Sequence, residues 1–212
     1  MNILEEISTL LQKGRSSKVK EAVTTALENG VQPKDILEKG LMPGMNIVGE
    51  KFKNNQVFVP EVLVAARAMN AGIEILKPFM VAGQSESKGK VVIGTVKGDL
   101  HDIGKNLVKI MLEAKGLDVL DLGVDVQPDT FVEKAKDFNA DIICCSALLT
   151  TTMNEMKAVV EKVDASGMRG SVKIMVGGAP VTQEFCDSIG ADYYTTDATS
   201  AADVALNICQ NN

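Results

Sequence analysis

The stretch VVIGTVKGDLHDIGKN, residues 91–106, contains the clearest structural pattern of the sequence. Its first six residues are apolar and mostly β-branched, which predicts a buried strand. A polar loop with Gly98 follows, and a helical period begins near residue 104. This order predicts one strand–loop–helix unit of an α/β domain.

The same alternation continues toward the C-terminus. Further strands are predicted over residues 117–123, 140–149, 172–178 and 192–196, and helices near residues 104–115, 128–138, 152–165, 182–188 and 199–209. Strands separated by helices cannot pair as hairpins. The sequence therefore predicts a doubly wound, five-stranded parallel sheet with helices on both faces and ligands at the carboxyl ends of the strands.

The first 80 or so residues have a helical period instead. Four helices are predicted, over residues 3–11, up to Asn29-Gly30, from Pro33 to Phe52, and from Pro60 to about residue 80. Pro43-Gly44 is expected to bend the third helix, and the two apolar stripes of the fourth predict neighbours on both sides. This pattern predicts a small helical bundle.

Between the two patterns lies the polar stretch GQSESKGK, residues 83–90, which is typical of a linker. We therefore predict a four-helix bundle over residues 1–82 and an α/β domain over residues 91–212.

Composition narrows the possible functions of the 212-residue chain. With 22 Lys and Arg against 28 Asp and Glu, the net charge of -6 disfavours a nucleic-acid partner. No apolar stretch is long enough to span a membrane, and Glu5 and Glu6 stand where a signal peptide would be basic and then apolar. We expect a cytoplasmic protein without a membrane partner.

The four cysteines form no CxxC pair, and two of them are adjacent in an apolar run. This pattern favours buried, reduced thiols over a redox or zinc site. The chain has a single histidine, so several imidazoles cannot share one metal site.

Polar, glycine-containing segments follow three of the predicted strands, at residues 98–106, 146–152 and 177–180. Parallel strands bring these segments to one edge of the sheet. The first segment is not a phosphate-binding P-loop, because five residues separate its glycines and Asn106 follows Lys105. A GxGxxG dinucleotide fingerprint is absent from the sequence as well.

His101 lies in the first of these loops, between Asp99 and Asp102. It is either a solvated loop histidine or a metal ligand, and Asp99 is suitably placed to hold its second nitrogen. One protein ligand cannot retain a free metal ion with useful affinity. A metal at His101 would therefore arrive already chelated, inside a macrocycle such as a haem or a corrin.

Three motifs resemble those of cobalamin-binding domains. Asp99-Leu100-His101-Asp102-Ile103-Gly104 is similar to their DxHxxG motif, and Ser146-Ala147-Leu148 and Gly177-Gly178 are similar to the accompanying SxL and GG elements. The strings VKGDLHDIGKNLV and SALLTTTM are closer to the methyl-carrying branch than to the isomerase branch. VGEKFKNNQVFVPEVLVAARAM, residues 48–69, is similar to the helical cap of methionine synthase and of the small corrinoid proteins of methyltransferase systems.

This resemblance covers nearly the whole chain and implies a fold, a flavodoxin-like (Rossmann-like) cobalamin-binding domain behind a helical cap. It implies that His101 replaces dimethylbenzimidazole as the lower axial ligand of cobalt. Asp99 would hydrogen-bond the imidazole, and Thr152, where many relatives have serine, would complete a relay. The other implied cofactor contacts are Ile103, Gly104, Ser146, Leu148, Thr150, Gly177 and Gly178, of which Ser146, Leu148 and the glycine pair would line a slot for the nucleotide tail.

Four apolar residues of the N-terminal segment fit two interpretations. Phe58, Val62, Leu63 and Met69 lie where relatives cover the upper corrin face, and each also suits the core of a bundle.

The resemblance implies a corrinoid methyl carrier that is not catalytic alone. It would accept a methyl group on cobalt(I) of cobalamin, or of a related corrinoid, from a substrate:corrinoid methyltransferase. The methylcobalamin form would then give that group to a methylcorrinoid:acceptor methyltransferase, with tetrahydrofolate or a thiol as acceptor, and a reductive activase would be a further partner. The helical cap would shield the methyl group and move aside on the linker.

Two alternatives remain open at the level of sequence. A cobalamin-binding subunit of a radical isomerase would share the three C-terminal motifs but usually lacks the N-terminal bundle. A cobalamin-based sensor usually adds a basic DNA-binding segment, and this sequence contains none. The sequence leaves the methyl donor, the acceptor and the oligomeric state undetermined.

Overall fold

The computed structural model describes residues 2–79 and 87–211. The chain divides into two compact units, Met1–Glu86 and Ser87–Asn212, here termed the N-terminal and the C-terminal unit. Residues 83–86 of the predicted linker and the end of the predicted fourth helix at residue 80 lie outside the described residues. The domain boundaries at residues 82 and 91 stay a prediction.

The described part of the N-terminal unit is helical, as predicted. Its α-helices are α1 (Ile3–Gln12), α2 (Ser16–Glu28), α3 (Pro33–Ile36), α4 (Met42–Lys53) and α5 (Val59–Leu76), and a short 3-10 turn follows at Lys77–Phe79. A capping box begins α1, because the Leu4 amide donates to Asn2 Oδ1 and the Asn2 amide donates to the Glu5 carboxylate. Apolar side chains from several helices, including Ile7, Leu41 and Met45, are fully buried and form the core.

The third predicted helix is continuous from α3 to α4 but irregular at a different place from the one expected. A π-helical turn occupies Leu37–Leu41, with the Met42 amide donating to the Leu37 carbonyl, and it comes just before Pro43 rather than at Pro43-Gly44. Proline has no amide hydrogen, and its ring would clash with the carbonyl four residues earlier in a regular helix. The wider π turn accommodates both effects one turn earlier.

The four ambiguous apolar residues of this unit separate into two pairs. Val62 and Met69 are buried in the bundle core, whereas Phe58 and Leu63 are exposed at its surface. Core packing therefore accounts for the first pair and leaves the second pair free for another contact.

The C-terminal unit is an α/β domain with a five-stranded, all-parallel sheet in the order β2-β1-β3-β4-β5, which confirms the predicted fold class. Its strands are β1 (Lys90–Thr95), β2 (Asp118–Asp121), β3 (Ile142–Ser146), β4 (Lys173–Gly177) and β5 (Tyr193–Tyr194). Its helices are α6 (Ile103–Ala114), α7 (Pro128–Phe138), α8 (Asn154–Ala165), α9 (Gln183–Ile189) and α10 (Ala198–Gln210).

The sheet order places β1 between β2 and β3. The chain therefore adds β2 on one side of β1 and then returns to add β3, β4 and β5 on the other side. Ligands of doubly wound domains bind at such a reversal, outside the carboxyl ends of the strands. Buried side chains of the strands, among them Val92, Ile143 and Ile174, pack with Phe131 of α7 and Met156 of α8. This packing fixes the strand ends on which the site is built.

Candidate functional site

The pairing register of the parallel sheet aligns the carboxyl ends of β1, β3 and β4. Thr95 pairs with Ser146, and Ser146 pairs with Gly177, so the loops after β1, β3 and β4 begin side by side. The three polar segments expected at one sheet edge are therefore brought together.

Asp99 is the centre of this edge, and its side chain is fully buried. Its Oδ1 lies 2.7 Å from His101 Nδ1 and accepts from the His101 amide at 3.1 Å. Its Oδ2 accepts from the amides of Leu148 and Leu149 at 2.8 and 3.1 Å. The Thr152 hydroxyl donates to the same Oδ2 at 2.8 Å. One carboxylate thus joins the loop after β1 to the loop after β3.

These donors determine the charge of the carboxyl group. Burial by itself raises the pKa of Asp99, but the hydrogen bonds from the His101 ring, the Leu148 amide and the Thr152 hydroxyl outweigh it and hold that pKa well below its usual range. Asp99 is therefore a carboxylate at neutral pH, which can only accept hydrogen bonds.

A carboxylate at 2.7 Å makes His101 Nδ1 the protonated nitrogen of the ring. In the neutral imidazole, Nε2 is then the nitrogen that keeps its lone pair. Half of the His101 side chain is exposed. The ring is thus held by one nitrogen, and the other has the chemistry of a metal ligand.

Thr152 has two acceptors within reach of its single hydroxyl hydrogen. Its Oγ1 lies 2.8 Å from Asp99 Oδ2 and 2.9 Å from the Leu149 carbonyl oxygen. The side chain is nearly buried. The structure therefore brings together Asp99, His101 and Thr152, the three residues that the sequence predicted as a relay.

Two residues that the sequence analysis did not single out also hold this loop. The Thr95 hydroxyl, at the end of β1, donates to the His101 carbonyl at 2.8 Å. Asp125 Oδ1 accepts from the Gly98 amide at 2.7 Å, and the Asp125 amide donates to the Asp99 carbonyl at 3.0 Å. A hydroxyl in an otherwise apolar strand was the available signal for Thr95. No local signal marked Asp125, because its partners lie 26 and 27 residues earlier in the chain.

A buried ion pair anchors the start of α6 directly after the histidine loop. Lys105 Nζ lies 2.6 Å from Asp121 Oδ1 at the end of β2, and the lysine side chain is almost completely buried. Its ammonium group also donates to Asn106 Oδ1 at 2.7 Å. A buried ammonium group needs such partners, and here they tie α6 to the sheet.

Large apolar side chains are exposed in the same two loops. Leu100 and Ile103 are 71% and 70% exposed, and Leu148 and Leu149 are 43% and 41% exposed. Apolar side chains gathered around a polar group are typical of a site for a mainly apolar ligand. A corrin ring suits this chemistry because it would cover them while His101 reaches its metal.

The glycines predicted to contact the cofactor differ in whether the local structure requires a glycine at their position. A Cβ on Gly177 or on Gly104 would meet open space, so neither glycine is required by local packing. A Cβ on Gly178 would lie 1.8 Å from the Ala147 carbonyl oxygen, and its φ is +136°, so the backbone itself requires glycine there. Open space beside Gly177 is consistent with the predicted slot. Ser146 is half-buried at the end of β3, and Thr150 is exposed in the following loop.

The remaining groups that could carry chemistry are the cysteines and possible metal ligands elsewhere in the described residues. All four cysteines are free; Cys144, Cys145 and Cys186 are buried, as predicted, and Cys209 is half-buried. Within residues 2–79 and 87–211, no group of three or more His, Cys, Asp or Glu side chains could hold a metal ion. None of the helices in these two ranges is long and apolar enough to cross a membrane.

Fold and site together define a cobalamin-binding protein, and residues 89–205 match the family described as B12 binding domain. Residues 3–77 match a second family with the same description. The chain belongs to the corrinoid proteins of methyltransferase systems.

The individual relatives agree with this assignment. Trimethylamine corrinoid protein 1 of Methanosarcina mazei is 50% identical over 191 residues, which cover 88% of each chain. The dimethylamine corrinoid protein of Methanosarcina barkeri is 46% identical over 200 residues, 94% of this chain and 93% of that protein. Among solved structures, the methanol:cobalamin methyltransferase complex of Methanosarcina barkeri matches with a TM-score of 0.90 and 31% identity, over 99% of this chain and 80% of that chain.

Proposed function

We propose that this protein carries methyl groups between two methyltransferases on a corrinoid held at His101. The observation that carries the proposal is the hydrogen-bonded chain Thr152–Asp99–His101, which holds Nδ1 and leaves Nε2 as a ligand. When bound, the corrinoid supplies a cobalt centre that can take up a methyl group and release it to an acceptor.

In this proposal, each residue of the chain has a separate task. His101 Nε2 would hold the cobalt. Asp99 keeps the proton on Nδ1, because it remains a carboxylate under five hydrogen-bond donors. Thr152 and the two loop amides hold Asp99 in turn. The imidazole therefore keeps one tautomer and one orientation.

Other residues of the edge would bind the rest of the cofactor. Leu100 and Ile103 would exclude water from the corrin face near His101. Ser146, Leu148, Gly177 and Gly178 would line the slot for the nucleotide tail, and Thr150 would add a polar contact to that tail. Gly104 would let the backbone approach the ring.

The names of the relatives favour a methylated amine as methyl donor. The trimethylamine and dimethylamine corrinoid proteins are 45–50% identical to this chain and the monomethylamine corrinoid protein is 36% identical, against 31% for the structure that contains a methanol methyltransferase. We include in the proposal a cytoplasmic location, a reductive activase, and a second methyltransferase with tetrahydrofolate or a thiol as acceptor.

Spectroscopy of the loaded protein tests the axial ligand. Cobalamin is bound to the chain labelled with 14N- or with 15N-histidine, and the paramagnetic cobalt(II) form is examined by electron paramagnetic resonance. We expect a nitrogen splitting that changes from triplet to doublet with the label. His101→Ala should lose this splitting, and Asp102→Asn, in the same loop, should retain it. A splitting that is insensitive to the label would refute ligation by His101.

Methyl transfer tests the donor. The loaded protein is incubated with methyltransferases for trimethylamine, dimethylamine and methanol, each with its substrate. Faster methylation with an amine enzyme is expected, and faster methylation with the methanol enzyme would refute the choice of donor while leaving the carrier function intact.

A further inference from the structure

Asp125 forms two hydrogen bonds with the loop that contains His101, one through its side chain and one through its backbone amide. Its side chain accepts a hydrogen bond from the Gly98 amide at 2.7 Å, and its backbone amide donates to the Asp99 carbonyl at 3.0 Å. The peptide group that joins Gly98 to Asp99 is thus flanked by both bonds. Asp125 lies in the loop after β2, so these bonds tie that loop to the one after β1.

The backbone of Asp125 is in the left-handed region, with φ at +54°. Few residues other than glycine adopt this conformation, and Asp and Asn are the most tolerant of it. Glycine would satisfy the backbone but would provide no acceptor for the Gly98 amide. Only Asp and Asn combine the required φ with a side-chain oxygen at this distance.

The Gly98 amide lies in an exposed part of the loop. Gly98 has a φ of +77°, so the chain turns sharply just before Asp99. Without the Asp125 side chain, the Gly98 amide in this turn would lose its hydrogen-bond acceptor. Together with the bond from the Asp125 amide to the Asp99 carbonyl, this bond holds the chain on both sides of the Gly98–Asp99 peptide.

We infer that Asp125 is a positioning residue that sets the Gly98–Asp99 turn and thereby keeps the His101 imidazole in place for its metal. The effect on metal binding at His101 rests on the proposed function, whereas the hydrogen bonds of Asp125 do not. It assigns to Asp125 no contact with the cofactor.

Two substitutions separate the acceptor from the backbone conformation. Asp125→Asn retains both the side-chain oxygen and the tolerance for positive φ, whereas Asp125→Gly retains only the latter. We expect the Gly98 amide to exchange about tenfold or more faster in Asp125→Gly than in the wild type, and Asp125→Asn to remain close to the wild type. The hydrogen-bonded Nδ1–H signal of His101 in nuclear magnetic resonance spectra should weaken in Asp125→Gly only.

With cobalamin bound, the ratio of histidine-off to histidine-on cofactor, read from the absorption spectrum, should rise about tenfold in Asp125→Gly. A ratio within about threefold of the wild type would overturn the inference, and so would an equal loss in Asp125→Asn. If wild-type protein showed no histidine coordination, the proposed function would fail, and the exchange of Gly98 and the Nδ1–H signal would still decide the role of Asp125. If the Gly98 amide of the wild type exchanged as fast as an amide in an unstructured peptide, the inference would be overturned without any variant.

Discussion

Asp99 makes the stability of the C-terminal unit depend on pH. Its pKa is lower in the folded chain than the ordinary value of 3.8, so the unfolded chain binds the proton more readily. The stabilisation from its hydrogen bonds is therefore complete above about pH 4 and is lost as the pH falls further toward the folded-state pKa. One such group changes the free energy of unfolding by at most about 1.4 kcal/mol per pH unit.

Asp99→Asn isolates this contribution. We expect the variant to be less stable than the wild type at pH 6, and the difference to shrink steadily between pH 4 and pH 2. Both tyrosines of the chain, Tyr193 and Tyr194, form β5, and the chain has no tryptophan. Tyrosine fluorescence during urea unfolding therefore reports on the C-terminal unit. A difference that is constant over this pH range would contradict the low pKa.

At the scale of single residues, the sequence predicted the centre of the site and missed its supports. Asp99 and His101 are two positions apart, and their contact follows from a short loop. The backbone amides of Leu148, Leu149 and Asp125 reach Asp99 only after distant strands have paired. Local pattern contains no information on such bonds, because amides are common to every residue.

Among the elements, the end of β4 contains one glycine that the backbone requires, Gly178, and one that it does not, Gly177. Gly177→Val should leave the C-terminal unit about as stable as the wild type, because its Cβ would meet open space and valine suits a strand. The same side chain would fill the proposed slot, so we expect weaker uptake of cobalamin. Gly178→Ala should instead destabilise the unit by about 2 kcal/mol or more, since it combines a positive φ with a backbone clash.

Tyrosine fluorescence in urea measures both stabilities, and equilibrium dialysis with cobalamin measures uptake. Normal uptake by a stable Gly177→Val protein would contradict the slot. An undisturbed Gly178→Ala protein would contradict the close approach to Ala147.

The elements of the C-terminal unit were predicted in kind and order, and helix α7 was predicted with its exact bounds, whereas the ends of some strands were not. The strand expected over residues 140–149 ends at Ser146, where its ladder with β1 ends at Thr95. Beyond that point, the Leu148 and Leu149 amides bind Asp99 instead of a neighbouring strand. Similarly, the strand expected over residues 192–196 is only two residues long, because its ladder with β4 contains only two residue pairs. An apolar run therefore predicts a strand without showing where its hydrogen bonds change partner.

For the molecule as a whole, at most one of the four thiols is expected to be reactive in the native chain. Burial raises the pKa of Cys144 to about 12 and that of Cys209 to about 11, so few thiolates exist at pH 8. We expect at most one thiol, that of Cys209, to react within minutes with a disulfide reagent in the native chain, and all four to react in urea. Cys209→Ser should remove the native reaction, and rapid reaction of two or more thiols would contradict their burial.

The order of the sheet has a consequence for how the protein acquires its ligand. The donors to Asp99 come partly from its own loop and partly from residues 49 to 53 positions later, and they meet only when β1 and β3 lie side by side. In an unfolded or incompletely synthesised chain, the His101 imidazole therefore rotates freely, because the hydrogen bonds that orient it have not formed. We therefore expect the corrinoid to bind after this unit has folded, and not to act as a template for its folding.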